Sequence, residues 1–137
     1  MPNASDIRTG RHCVFALHVH LVFVTKYRRD VFTKTILDAL RPIFESVCRD
    51  FEAELMEFDG EDDHVHLLVN YPTKVSLSSL VNSLKGVSSR LLRKQFPPLV
   101  KRYWKEVLWS PSYFAASCGG APLSLIRQYI ENQRTPL

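Results

Sequence analysis

Apolar and polar positions divide the chain into seven segments with two different periods. Residues 12–25 (HCVFALHVHLVFVT) are dense in Val and Phe and hold neither Gly nor Pro, which predicts a long strand. Residues 32–51 put Ile36, Leu37, Leu40, Ile43, Phe44 and Val47 on one helical stripe. Pro42 lies inside that stripe and predicts a kink or a late helix start. Residues 52–58 alternate, with Ala53, Leu55 and Glu57 to one side and Glu54, Met56 and Phe58 to the other. DGEDD then predicts a turn. Residues 64–71 read as a third strand, stopped by Pro72. Leu77, Leu80, Val81, Leu84, Val87 and Leu91 repeat at helical spacing over residues 76–96, where Ser76 can cap the start and Pro97-Pro98 end the pattern. An aromatic and basic connection covers residues 99–111. A short strand over residues 112–118, a Gly119-Gly120 break and a last helix over residues 122–133 complete the chain. The order β-α-β-β-α-β-α matches a ferredoxin-like α+β domain: an antiparallel sheet with two helices on one face, plus an extra C-terminal helix. Residues 1–10 are polar and aperiodic, predicting a loose tail, and nothing in the pattern marks a domain boundary within 1–137.

Composition narrows the class. The chain has 137 residues, 45% of them hydrophobic, enough for one domain with a real core. No apolar run approaches the roughly 18 residues of a membrane span, because His18 and His20 interrupt the best candidate. No apolar segment marks the N-terminus for secretion. Cys13, Cys48 and Cys118 are odd in number and far apart, which argues against a disulfide framework or a cysteine zinc site and for a reducing, cytoplasmic setting. The net charge of +4 is modest but unevenly spread. Nine of the fourteen acidic residues lie between Glu45 and Asp63, and from His64 to Lys105 there are eight basic residues and no acidic one. Such a single-signed stretch fits a polyanionic partner, although charge runs are also ordinary solvated surface.

Two constellations carry candidate chemistry. In a strand, residues i and i+2 share a face, so His64 and His66 project together and suit two ligands on one metal ion, with Asp62 and Asp63 as outer-shell acceptors. His18-Val19-His20 repeats the pattern, and spacing does not choose between the two strands. On the last helix, Tyr129 and Gln133 are four apart and share a face. A tyrosine hydroxyl can act as a covalent nucleophile, and a glutamine carbonyl can ligate a hard cation.

Several longer segments, in order, resemble one family: HLVFVTKYRR, HVHLLV, KVSLSSLVNSLKGVSSRLLRKQFP, LWSPSYFAASCGGAP and IRQYIENQ. Together they are similar to the single-tyrosine HUH transposases of small bacterial insertion sequences, the group named for insertion sequences two hundred and six hundred and five. The likeness runs from about His12 to Gln133.

The resemblance implies that the HUH motif is His64-Val65-His66, that Tyr129 is the nucleophile and that Gln133 is the third metal ligand. It also implies cleavage and rejoining of single-stranded DNA carrying hairpins near element ends, through a 5′-phosphotyrosine link. The working ion would be Mg2+, with Mn2+ also suited to imidazole and carbonyl ligands. A homodimer would share its active sites between chains, with Gly119-Gly120 as the hinge. DNA contacts are expected from Lys26, Arg28 and Arg29 and from Lys85, Arg90, Arg93 and Lys94, with Tyr27, Trp104 or Trp109 available to stack on bases. Two other readings share these residues: a non-catalytic module for single-stranded or hairpin nucleic acid, and a host enzyme that processes palindromes by the same chemistry.

Overall fold

The computed structural model describes residues 8–9, 14–15, 17–99, 107–117 and 123–133. Its central element is a four-stranded antiparallel sheet. A small ribbon precedes it, formed by β1 (Arg8–Thr9) and β2 (Val14–Phe15). The sheet is built from β3 (His18–Val24), β4 (Glu54–Gly60), β5 (His64–Asn70) and β6 (Phe114–Ser117), in the spatial order β4-β5-β3-β6. Helix α1 (Lys34–Asp50) links β3 to β4, α2 (Leu77–Gln95) links β5 to β6, and α3 (Leu123–Glu131) follows. This is the expected α+β, ferredoxin-like arrangement.

The long first strand is broken in two, and Arg8–Thr9 belongs to a strand pair rather than a loose tail. The physical reason lies in the neighbouring strand. Pairing between β3 and β5 ends at His18↔Asn70, and Tyr71 gives a last N–H to the Leu17 carbonyl (3.0 Å). Pro72 has no N–H to continue the ladder. Upstream residues pair instead with Arg8–Thr9.

Alternation assigns the sheet its two faces. Val19, Leu21 and Phe23 of β3 and Val65, Leu67 and Val69 of β5 enter the main core with Leu40, Phe44 and Val47 of α1 and Leu80, Val81, Leu84 and Leu92 of α2. The other face carries His18, His20, Val22 and Val24 of β3 and His64, His66, Leu68 and Asn70 of β5. On β4 the alternation is reset by a bulge between Leu55 and Glu57. Leu55 and Phe58 therefore both pack on the core, while Glu57 and Asp59 pair beside Leu68 and His66. Strict period two put Leu55 and Phe58 on opposite sides.

Both long helices are capped by hydroxyls: Thr33 accepts from the Ile36 N–H and Ser76, as anticipated, from the Ser79 N–H. Helix α1 runs unbroken through Pro42, which is exposed. Trp109 is no base-stacking surface. It is 3% exposed, sits edge-on to Phe23 (5.7 Å) and donates its indole N–H to the buried Ser88 hydroxyl (2.9 Å). Trp104 and the Gly119-Gly120 hinge lie outside the described residues.

Two glycines should respond oppositely to the same substitution. At Gly60 an added Cβ would stand 2.7 Å from Leu37 Cδ2, 3.1 Å from Val65 Cγ1 and 3.2 Å from the His64 carbonyl. Gly60→Ala is expected to destabilise by about 1 kcal/mol, the low end for overpacking because the Leu37 methyl can move. At Gly86, exposed in α2, nothing lies within 4 Å of that Cβ. Gly86→Ala is expected to stabilise by about 1 kcal/mol through helix propensity. Urea unfolding of the two variants checks both signs.

Candidate functional site: a histidine pair and a tyrosine helix on one sheet face

The two H-V-H segments are sheet neighbours. Their register pairs Val22 with His66 and Val24 with His64, so His20 is the diagonal neighbour of His66. The ring centroids of His64 and His66 lie 5.0 Å apart, edge to face, and those of His20 and His66 5.4 Å apart. His64 is buried and His66 half-buried.

Each imidazole of the pair is engaged through Nδ1. His64 Nδ1 donates to Asp63 Oδ1 at 2.7 Å. His66 Nδ1 lies 3.3 Å from His20 Nε2. Burial first, then His64 and His20, push His66 down to about 4, so it is neutral at neutral pH. With Nδ1–H given to Asp63, His64 keeps its lone pair on Nε2, and His66 keeps one there when its Nδ1 is the donor to His20, the donor set a divalent cation takes from histidine. The Glu61 carboxylate is the nearest acid to His64 Nε2, at 3.6 Å. Among the described residues no three His, Cys, Asp or Glu side chains form a metal-holding group. A third protein ligand of another type, such as an amide, suits that set.

Helix α3 covers the same face. Ile126 is buried against Val22 and Val24, and the Tyr129 ring packs on Phe114 at 5.7 Å. The helix ends at Glu131, short of the expected Gln133, and two serines hold Tyr129 on it and Gln133 just beyond it. Tyr129 and Ser112 hydroxyls lie 2.9 Å apart, and the Ser110 hydroxyl donates to Gln133 Oε1 at 2.7 Å. Ser112 Oγ is 3.4 Å from the same oxygen, and the Gln133 amide N–H donates to the Tyr129 carbonyl at 3.2 Å. Burial pushes the Tyr129 hydroxyl up, and the Ser112 hydrogen bond pulls it partly back.

The row His66–Val22–Phe114 crosses three strands, and Tyr129 packs on Phe114 and on the Val22 and Val24 patch next to the histidines. Within one chain, then, the structure brings His64 and His66 together, brings Tyr129 and Gln133 together, and puts both pairs on one face with Val22 and Val24 between them.

The basic residues distribute differently from their place in the sequence. Lys85, with its charge disfavoured by burial, donates to three successive carbonyls, of Ser110, Pro111 and Ser112 (2.7, 3.3 and 3.2 Å). It braces the loop that carries the two serines, instead of standing out toward DNA. Arg28 donates to Asp63 Oδ2 at 3.1 Å. Lys26 and Arg29 flank the ring of Tyr27, which is 40% exposed (5.4 and 5.6 Å to its centroid). Arg90 and Lys94 are exposed on α2, and Arg93 bonds back to Ser89. Helix α2 packs on the core face, so this basic surface and the histidine pair lie on opposite sides of the sheet. Sequence reasoning did not single out Ser110 and Ser112. Their one signal is the two-residue spacing of Ser-Pro-Ser just before the last strand.

Comparison with known proteins places this architecture. The family profile described as "Transposase IS200 like" matches residues 13–133. The ISDra2 transposase TnpA of Deinococcus radiodurans is 30% identical over 93% of this chain and 91% of its own length. The transposase for insertion sequence element IS200 of Salmonella typhimurium is 31% identical over 93% and 84%. A crystal structure described as a transposase from Deinococcus radiodurans superposes with a TM-score of 0.84 at 32% identity, covering 94% of this chain and 99% of that one. A REP-associated tyrosine transposase bound to a REP hairpin shares the fold, with a TM-score of 0.55 at 15% identity, over 92% of this chain and 69% of that one. Fold and relatives together define a transposase, a DNA-processing enzyme. The chain belongs to the IS200-like transposase family. Among the described residues no helix is long and apolar enough to cross a membrane.

Proposed function

We propose that this transposase cuts and rejoins single-stranded DNA at the ends of an insertion element, with Tyr129 as nucleophile and His64, His66 and Gln133 as metal ligands. The observation that carries the reading is the shared face: helices α1 and α2 cover one side of the sheet, and the other holds the histidine pair together with α3, which bears Tyr129, and Gln133 just past its end. A bound Mg2+ or Mn2+ would supply Lewis-acid polarisation of the scissile phosphate. The tyrosine hydroxyl gives up its proton as its oxygen bonds to phosphorus, the bond from phosphorus to the 3′ oxygen breaks, and that oxygen takes up a proton and leaves as a 3′-hydroxyl. The reverse attack by a 3′-hydroxyl rejoins strands without ATP, because the phosphotyrosine link keeps the bond energy.

Tyr27, exposed between Lys26 and Arg29, stands after β3 on the turn hydrogen-bonded to Asp62 and Asp63, and suits an unpaired base with its flanking phosphates. The surface of Arg90, Arg93 and Lys94, across the sheet, would grip DNA away from the cleavage centre. A neighbour of the same fold was solved on a REP hairpin, so a hairpin is the natural substrate to try. Incubation with single-stranded DNA carrying a terminal hairpin and Mg2+, followed by a denaturing gel, should show a covalent protein–DNA band. Hairpin binding with no band under any metal would mark a non-catalytic module.

The active unit in this proposal is a homodimer with shared sites. On its own chain the Tyr129 hydroxyl contacts Ser112 and Gln133 accepts from Ser110, and in this reading a partner's α3 brings the tyrosine to the histidines. Tyr129→Phe chains mixed with His64→Ala/His66→Ala chains should regain cleavage after subunit exchange, since one of the two sites is then intact. No activity from proven heterodimers would reject shared sites.

A further inference from the structure

We propose that Arg28 is a positioning residue for the histidine pair, acting through Asp63 on His64. The inference rests on the reading of His64 as a metal ligand through Nε2. It starts from the backbone. Tyr27 and Arg28 are consecutive L-residues with φ of 62° and 52°, the left-handed region that L side chains disfavour. Neither is Gly or Asn. Such a conformation persists where the surroundings over-determine it.

They do so here. The Thr25 N–H bonds the Asp63 carbonyl at 2.9 Å, and the Arg28 N–H bonds the Thr25 carbonyl at 2.9 Å. The buried Thr25 hydroxyl reaches the Arg29 carbonyl (2.8 Å) and the Asp63 carbonyl (3.2 Å). The N–H groups of Val31 and Phe32 both bond the Asp62 carbonyl at 2.9 Å. The turn over residues 25–32 and the dipeptide Asp62-Asp63 are thus one knitted unit, although twenty-nine residues of chain separate them.

What the strained turn achieves is the aim of one side chain. Arg28 Nε donates to Asp63 Oδ2 (3.1 Å), and the other oxygen, Oδ1, accepts from His64 Nδ1 (2.7 Å). The Asp63 side chain is 12% exposed and the Arg28 side chain 30%, so the carboxylate turns away from solvent with one partner on each oxygen. A carboxylate held from behind cannot rotate away from the imidazole. Its hold on Nδ1–H keeps the lone pair on Nε2, where a ligand is needed, and fixes the ring plane. An arginine in the run KYRR would be assigned to DNA phosphates from its charge. Its geometry faces the metal-ligand strand.

The test uses full-length Arg28→Gln, Asp63→Asn and the double variant, each checked for folding by thermal melting. Mn2+ affinity without DNA is read by electron paramagnetic resonance, and the His64 tautomer by long-range 1H–15N NMR. Both single variants should weaken Mn2+ binding by roughly 10–100-fold, the range for lost outer-shell partners. The double variant should be no weaker than Asp63→Asn, because Arg28 acts through Asp63. The NMR signature should move from Nδ1–H in the parent toward a mixture in Arg28→Gln. Metal-free hairpin affinity should stay unchanged. The opposite pattern overturns the proposal: parental Mn2+ affinity and tautomer in Arg28→Gln, with weaker DNA binding and a shallower salt dependence, would make Arg28 a phosphate contact. Additive losses in the double variant would also overturn it. Absence of Mn2+ binding in the parent would instead remove the metal reading, and the tautomer would still report whether Arg28 orients His64.

Discussion

Tyr129→Phe is expected to remove the covalent protein–DNA adduct altogether, a loss on the order of 10^4-fold or more, the scale seen when a covalent nucleophile is deleted. The phenyl ring keeps its packing on Phe114, and only the hydroxyl and its 2.9 Å contact with Ser112 disappear. A single hydrogen bond of this kind contributes about 0.5–1.5 kcal/mol net, so folding and hairpin affinity should survive. A denaturing gel with end-labelled hairpin DNA reads the adduct, and a native gel reads binding. An undiminished adduct would move the assignment to Tyr27, Tyr103 or Tyr113. Tyr27 would come first, because its turn is hydrogen-bonded to Asp63, next to His64.

The second large effect separates the two H-V-H strands. His66→Ala should abolish metal-dependent cleavage and weaken Mn2+ binding by more than the ~100-fold ceiling for an outer-shell partner. His18→Ala should leave the cleavage rate within about twofold, as expected away from the site. His18 shares the outer face but pairs with Asn70, at the far end of the strand from His64. Its Nε2 has no hydrogen-bond partner among the described residues. His20 is nearer, on His66 Nδ1, so His20 rather than His18 is the member of the first pair that cleavage should feel. A manganese titration of cleavage for the two variants decides the matter. A dead His18→Ala enzyme beside a working His66→Ala enzyme would mean that the wrong strand had been assigned.

The sequence by itself determined the order of the four sheet strands and the three helices, the sheet class, the Ser76 cap and the same-face geometry of each H-V-H pair. These follow from backbone periods that every residue obeys locally: 3.6 per turn in a helix, two in a strand. Tertiary structure decided what depended on distant segments. The bulge at Met56 moved Phe58 to the core face, and Pro72 ended the pairing that would have kept residues 12–25 in one strand. Trp109 went inside because Phe23, Phe32 and Phe44 surround it. Lys85 and Arg28 read as phosphate contacts from their charge, yet the fold brings carbonyls of the Ser110–Pro111–Ser112 loop to one and the Asp63 carboxylate to the other. Ser110 and Ser112 gained their roles only when α3 settled across Val22 and Val24. Charge and polarity are written in the residue, but the partner that uses them is supplied by chain closure over tens of residues, and no local period encodes it.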